Sequence, residues 1–266
     1  MIGVRSLAAA LCAASACLAG CGAPLLKLPA GPGVPASDGA ALLDQATAAC
    51  RRVTTISAEI AVSGSVGGRR VRGRLLAGLA APDSLYVEAP APFGAPLFVM
   101  GASGGDATLV LPRDRRVLEH GRPGDVLDAI AGVPLDPADL RSALTGCTTG
   151  AVADTEARAF GSEWRVIAGD RLSYLRRDRA VEPWRLVSVA IPGAAGWRAD
   201  YQDFVDDLPR RVRLTSNEPR RFDLKLALSQ VEVNVVLDRS TFRVTIPEGT
   251  QPISIDELRA SGPFSR

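Results

Sequence analysis

Imidazole and thiol chemistry have few carriers in this sequence: there are five cysteines and one histidine. With His120 the sole imidazole, a His-based metal cluster is excluded, and a Ser-His-Asp or Cys-His arrangement would rest on that residue alone. His120 stands beside Gly121 at the end of a strand-like run, which reads as a strand terminus. Asp206-Asp207 directly precedes Leu208-Pro209, the composition of a turn and not of a paired acid and base. No phosphate-cradling glycine loop occurs, and Gly31-Pro32-Gly33 lies in a proline- and glycine-rich stretch. Trp164, Trp184 and Trp197 read as core anchors. The expected activity is binding, not catalysis, with no cofactor and no metal.

Cys21 is the residue with the clearest chemistry. Arg5 precedes an apolar run from Leu7 to Leu18, followed by Leu18-Ala19-Gly20-Cys21. The run is too short for a hydrocarbon core, which needs ~20 residues, so residues 1–20 read as a signal peptide. Leu-Ala-Gly-Cys resembles the bacterial lipobox. That resemblance implies cleavage before Cys21 and acyl chains on its sulfur and new amino terminus, palmitate among them. An ordinary cleaved signal with an incidental cysteine is the alternative. Gly22, where an aspartate would retain such a protein in the inner membrane, resembles the outer-membrane sorting pattern of cells with two membranes. Residues 21–37, with Pro29, Gly31, Pro32, Gly33 and Pro35, read as an extended tether that cannot bury enough apolar surface to fold.

Removing residues 1–20 takes away Arg5 and no acid, lowering the formal net charge of +2 by one. That balance nominates no nucleic acid. Arginines cluster at Arg69, Arg70, Arg72 and Arg74, at Arg113, Arg115 and Arg116, and at Arg210, Arg211 and Arg213. Residues two apart share one strand face, so these read as a solvated outer surface that would aid approach to anionic headgroups. After cleavage, Cys50 and Cys147 remain beside Cys21. In an oxidising compartment the even pair suggests a Cys50–Cys147 disulfide, which the chain-entropy relation values at about 4 kcal/mol or somewhat more.

Residues 38–266 read as one folded domain. Leu42, Leu43, Ala46, Cys50 and Val53 recur at helical spacing behind Ser37 or Asp38 as cap. The period then changes to two at Ile56, Ala58, Ile60 and Val62, and short strand-like runs separated by turns follow. Two proline-initiated segments, Pro123–Ile130 and Asp136–Leu144, interrupt them as short helices. The expectation is a mainly β domain with an α lid. A curved antiparallel half-open barrel of roughly eleven strands would exceed what an open sheet holds without curling, with the helices in its concave side.

The order of these elements resembles the LolA/LolB family of periplasmic lipoprotein carriers and receptors. The residues that carry the resemblance are Ser84–Gly94, Asp125–Cys147 with Ala-Gly-Val-Pro-Leu, Asp139-Leu140-Arg141 and Leu144-Thr145-Gly146, then Gly196–Tyr201 leading to Leu208-Pro209. The receptor LolB, itself an outer-membrane lipoprotein, matches best. The resemblance implies an acyl-binding cavity walled by Ile60, Val62, Leu85, Val87, Leu97, Val99, Val189, Leu226 and Leu228, under lid residues Leu127, Ile130, Leu140 and Leu144. It also implies a membrane-insertion loop carrying Phe93, with acylated lipoproteins or other lipids as cargo. A LolA-like periplasmic carrier would be the donor, and the protein a lipid-anchored, periplasm-facing monomer at the outer membrane. Beyond Ser229 the chain adds Val231–Val236, Phe242–Pro247 and Ser254–Leu258, which that pattern lacks. The other readings are a different apolar ligand on the same fold, or a non-catalytic structural part of an envelope assembly.

Overall fold

A computed structural model describes residues 25–148 and 156–261; Cys21 and the signal segment lie outside them. The alternation from Ile56 onward builds the first long strand. Val34–Pro35 (β1) precedes it, and β2 (Thr55–Val66) folds back on β3 (Arg69–Ala80) at Gly67 and Gly68, both in the left-handed region (φ 57° and 77°) that glycine adopts without strain. There follow β4 (Ser84–Ala89), β5 (Phe98–Ser103), β6 (Asp106–Leu111) and β7 (Arg116–Gly121). After two helices come β8 (Glu156–Phe160), β9 (Trp164–Ala168), β10 (Leu172–Arg176), β11 (Arg185–Ala190), β12 (Trp197–Val205), β13 (Leu208–Ser216), β14 (Phe222–Val233) and β15 (Gln251–Pro252).

These strands form one sheet in the order β1-β8-β9-β10-β11-β12-β13-β14-β2-β3-β4-β5-β6-β7-β15. Neighbours are antiparallel except β15 against β7. The curled, unclosed architecture is the expected one, but among the described residues it has fifteen strands in place of the roughly eleven read from the sequence. Two of the extra strands, β1 and β15, are two-residue edge pairings whose sequences carry no alternation. Asp206 and Asp207, at φ 52° and 60°, form the two-residue turn between β12 and β13, as their composition implied.

The helix expected from Ser37 to Val53 is two: α1 (Gly39–Ala46) and α2 (Ala48–Arg51), broken at Thr47. The Thr47 hydroxyl donates to the Leu43 carbonyl (2.7 Å) at the break, the local competition that bends helices. Asp38 stands at the cap position, yet its side chain accepts no hydrogen bond from the helix; it accepts from Arg165 (Nε to Oδ1, 3.0 Å). That hydrogen bond holds the Asp38 carboxyl below its ordinary pKa. A lowered folded pKa stabilises above the unfolded value and is lost as pH falls through the folded one. Asp38→Asn should therefore destabilise by up to about 1 kcal/mol at neutral pH, the range for a half-exposed pair. The gap to the parent should begin to narrow as pH falls below about 4 and vanish below the lowered folded pKa. Urea unfolding across pH checks this, and a gap that persists in acid would assign the effect to something other than the pair.

α3 (Pro123–Ala131) and α4 (Pro137–Thr145) cover the concave face, α4 packing on β3, β4 and β13. Each starts at a proline, whose missing N–H costs nothing in the first turn, and each stops at a left-handed glycine, Gly132 (φ 65°) and Gly146 (φ 67°). Asp136 caps α4 by accepting from the Asp139 amide (2.7 Å). α1 lies on the same face over β8–β11. The segment after β14 crosses the outer face through a 3₁₀ turn (Arg239–Phe242), then returns as α5 (Ile255–Ser261) against α3, with Leu258 fully buried. It crosses where Gly101 lacks a side chain: a Cβ there would sit 2.5 Å from the Phe242 carbonyl oxygen.

Candidate ligand-binding cavity

Between the concave face and the two lid helices lies a cavity of about 160 Å³. Its sheet wall is built from inward rows of β2, β3, β4, β13 and β14, and its roof from α3, α4 and the Val133–Leu135 link between them. Arg72 and Arg74 stand at the rim; every other lining side chain is apolar. For scale, an engineered apolar void of ~150 Å³ stays dry and admits benzene. As it stands the cavity has room for an apolar group of that size, and displacement of the lid would enlarge it.

The mouth follows from strand register. β3 pairs with β2 along its whole length but with β4 only over Leu76–Ala80, so Arg69–Leu75 runs on past the end of β4. Val71–Leu75 form one lip, and Pro90 and Leu97, on the loop joining β4 to β5, also line the opening. Phe93 stands at the tip of that loop, 90% exposed. Arg113 shapes the loop by donating to the carbonyls of Phe93 and Ala95 (both 3.1 Å). Nothing in the sequence marks Arg113 for this task except its place in an arginine cluster.

The lid is fastened at several points. Asp128 of α3 meets Arg221 (2.8 Å), Asp139 of α4 meets Arg171 (2.8 Å), and Arg141 donates to the Val53 carbonyl (3.1 Å). Cys50 and Cys147 are joined as a disulfide, their Cα atoms 5.5 Å apart, which ties the end of α4 to α2.

Of the residues expected around the ligand, Ile60, Val62, Val87, Leu97, Leu127, Ile130, Leu140, Leu144 and Leu226 line the cavity. Four do not. Leu85 and Leu228 face inward but are packed into the core, and Val189 lies in the inner row beside Ser173, beneath α1. Val99 points outward: it pairs with Glu88, which pairs with Leu76, all on the convex face. Val66, Val71, Leu214 and Leu224 line the cavity without having been singled out.

The stretch expected to hang free as a tether is, from residue 25, laid on the sheet. β1 pairs with β8, Arg158 donates to the Pro32 carbonyl (2.9 Å), and Arg198 donates to that of Leu26. Arginine donors supply what an apolar face would supply in an ordinary element. Cys21 itself lies outside the described residues.

Two other motifs carry no site chemistry. Gly101-Ala102-Ser103-Gly104-Gly105 has the spacing of a nucleophile elbow, but it forms the β5–β6 hairpin, where that motif requires a strand-to-helix turn. Ser103 there faces the Ser84 hydroxyl (3.2 Å). His120, at the end of β7, is exposed and sits 3.4 Å from Asp106.

No family model matches the sequence, and no curated protein is similar to it by sequence. Solved structures are similar in shape. A DUF1329 family protein from Desulfovibrio piger superposes with a TM-score of 0.51 at 11% identity, covering 79% of this chain and 98% of its own. A LolA superfamily protein from Nitrosomonas europaea superposes with a TM-score of 0.50 at 12% identity, covering 77% of this chain and 97% of its own. The fold is LolA-like. In this LolA-like half-barrel, α3 and α4 form the lid over the concave face, and the cavity lies between lid and sheet. The 3₁₀ turn and α5 continue the chain after the last long strand.

Proposed function

We propose that this LolA-like protein binds acyl chains in the cavity beneath its lid, by burial and without catalysis. The observation that carries the reading is an almost wholly apolar chamber left open in an otherwise packed half-barrel, at the gap beside β3. Each methylene sheltered there contributes ~0.8 kcal/mol, so about ten, accommodated as the lid moves aside, give affinity near the micromolar range while release stays fast. Displacement of a fluorescent fatty acid by unlabelled ones tests the reading; absence of any saturable binding would reject it.

The finer proposal is an outer-membrane lipoprotein, anchored through acylated Cys21, that accepts the acyl chains of other lipoproteins from a LolA-like carrier and places them in the membrane. The lipobox-like Leu18–Cys21 and Gly22 support the anchor and its address, and the exposed Phe93 beside the mouth supports the placing step. Phe93 inserted into the interfacial region gains up to roughly 2 kcal/mol. Phe93→Glu should therefore weaken association of the soluble domain with vesicles by about thirtyfold and slow transfer of acylated cargo to liposomes. Its unfolding midpoint should stay at the parent value, because the ring touches little of the fold. Unaltered transfer would remove Phe93 from the mechanism.

A further inference from the structure

The lip of the cavity formed by β3 is also a bare backbone edge. Along Arg69–Leu75 the strand has β2 on one side and, among the described residues, no strand on the other. Such an edge is a template for an added strand. Arg70, Arg72 and Arg74 lie at alternate positions of it, facing outward in register with Ser65, Ser63 and Ala61. Arg74 reaches Glu59 (2.9 Å), while Arg70 and Arg72 have no ion-pair partner among the described residues. Charged side chains on an edge oppose pairing with another copy of the same edge, and leave it open to a segment that offers carbonyls or acids to the guanidinium groups.

The chain's own amino-terminal stretch shows how this sheet takes such a segment. Val34–Pro35 adds to β8 as an edge strand, and the Ala36 amide donates to the Ala157 carbonyl (3.0 Å). Arg158 and Arg198 then hold the carbonyls of Pro32 and Leu26. That stretch is a proline- and glycine-rich extended peptide only a few residues beyond Cys21. At the β3 edge two of these elements recur, an unpaired strand edge and arginine donors, here at alternate positions of a single strand, and the edge borders the apolar mouth.

We propose that Arg69–Leu75 docks the extended peptide that follows an acylated cysteine, as a strand added to β3, while the acyl chain passes into the cavity between β3 and the Phe93 loop. The proposal rests on the acyl-binding reading and extends it from the lipid to the peptide of a lipoprotein. An acyl chain entering at this lip brings its cysteine to the edge, so the following residues have no longer path to travel before pairing.

Three synthetic probes separate the two readings: diacylated cysteine alone, the same cysteine extended by about eight residues of alternating glutamate and serine, enough to span the edge at ~3.4 Å per residue, and that lipopeptide with alternate backbone amides N-methylated. The extended probe should bind about tenfold more tightly than diacylated cysteine, as two or three net ladder hydrogen bonds allow, and N-methylation should remove the gain. Hydrogen exchange should slow at Val71–Leu75 with the extended probe only. Equal affinity of the extended and N-methylated probes, with exchange at β3 unchanged, overturns edge docking while leaving acyl binding in place. Failure of all three probes to bind overturns both readings. Tight binding of the extended probe alone, with exchange slowed, keeps the edge and removes the cavity as the source of affinity.

Discussion

Cys50→Ala/Cys147→Ala is expected to lower the unfolding free energy by about 4–5 kcal/mol, because the bond closes a loop with a sequence separation of 97, and cross-link stabilisation grows with loop length. Unfolding in urea under non-reducing conditions measures it. The effect should have a second component. The bond ties the end of the lid to α2, while the other polar ties of α3 and α4 to the rest of the fold, among the described residues, are two ion pairs and one hydrogen bond. Those pairs are only partly buried and are worth about 1 kcal/mol each. Without the covalent tie the lid should open more often, and bound fatty acid should leave faster even at temperatures where the variant is folded. A variant less than about 1 kcal/mol weaker, with ligand release unchanged, would show that the bond holds neither fold nor lid.

The second large effect is expected from Ala131→Phe. Ala131 ends α3 and lines the cavity, with Gly132 directly after it at the left-handed stop. A phenyl ring there fills a space of benzene size, and the void of about 160 Å³ has little to spare beyond it. Fatty-acid affinity should fall at least about tenfold, since losing even two sheltered methylenes costs about 1.6 kcal/mol. Stability should stay level or rise, because the added atoms fill emptiness instead of displacing neighbours. Titration with a fluorescent fatty acid and a thermal melt on the same sample check both halves. Full affinity in a folded variant would move the ligand site elsewhere.

Much of the architecture could be read from the sequence because its punctuation is chemical. Proline at the start and glycine at the end of α3 and α4, the paired aspartates of the β12–β13 turn, and the two glycines between β2 and β3 each select a backbone conformation that few other residues take. The cavity was legible only by face. Period two says that Ile60, Val62, Val87 and Leu226 look inward, but it does not say where along a strand packing stops, so Leu85 and Leu228 shared their pattern and ended in the core. Val99 failed for a different reason. The Leu97–Val99 alternation suggests a strand already under way at Leu97, whereas β5 starts at Phe98, with Phe98, Met100 and Ala102 inward; a shift of one residue exchanges the faces. The docked segment from residue 25 could not be foreseen at all, since it is held through backbone carbonyls, which every sequence possesses.

That segment also fixes a distance. Among the described residues its first carbonyl held by the sheet belongs to Leu26, so an anchor at Cys21 would lie no more than about 17 Å from it, five residues at ~3.4 Å each. This is roughly half the ~30 Å thickness of a bilayer's hydrocarbon core. Under the proposed anchor, a domain moored so closely would stay at the membrane surface instead of crossing a wide aqueous gap, and its ligand would have to be brought to it.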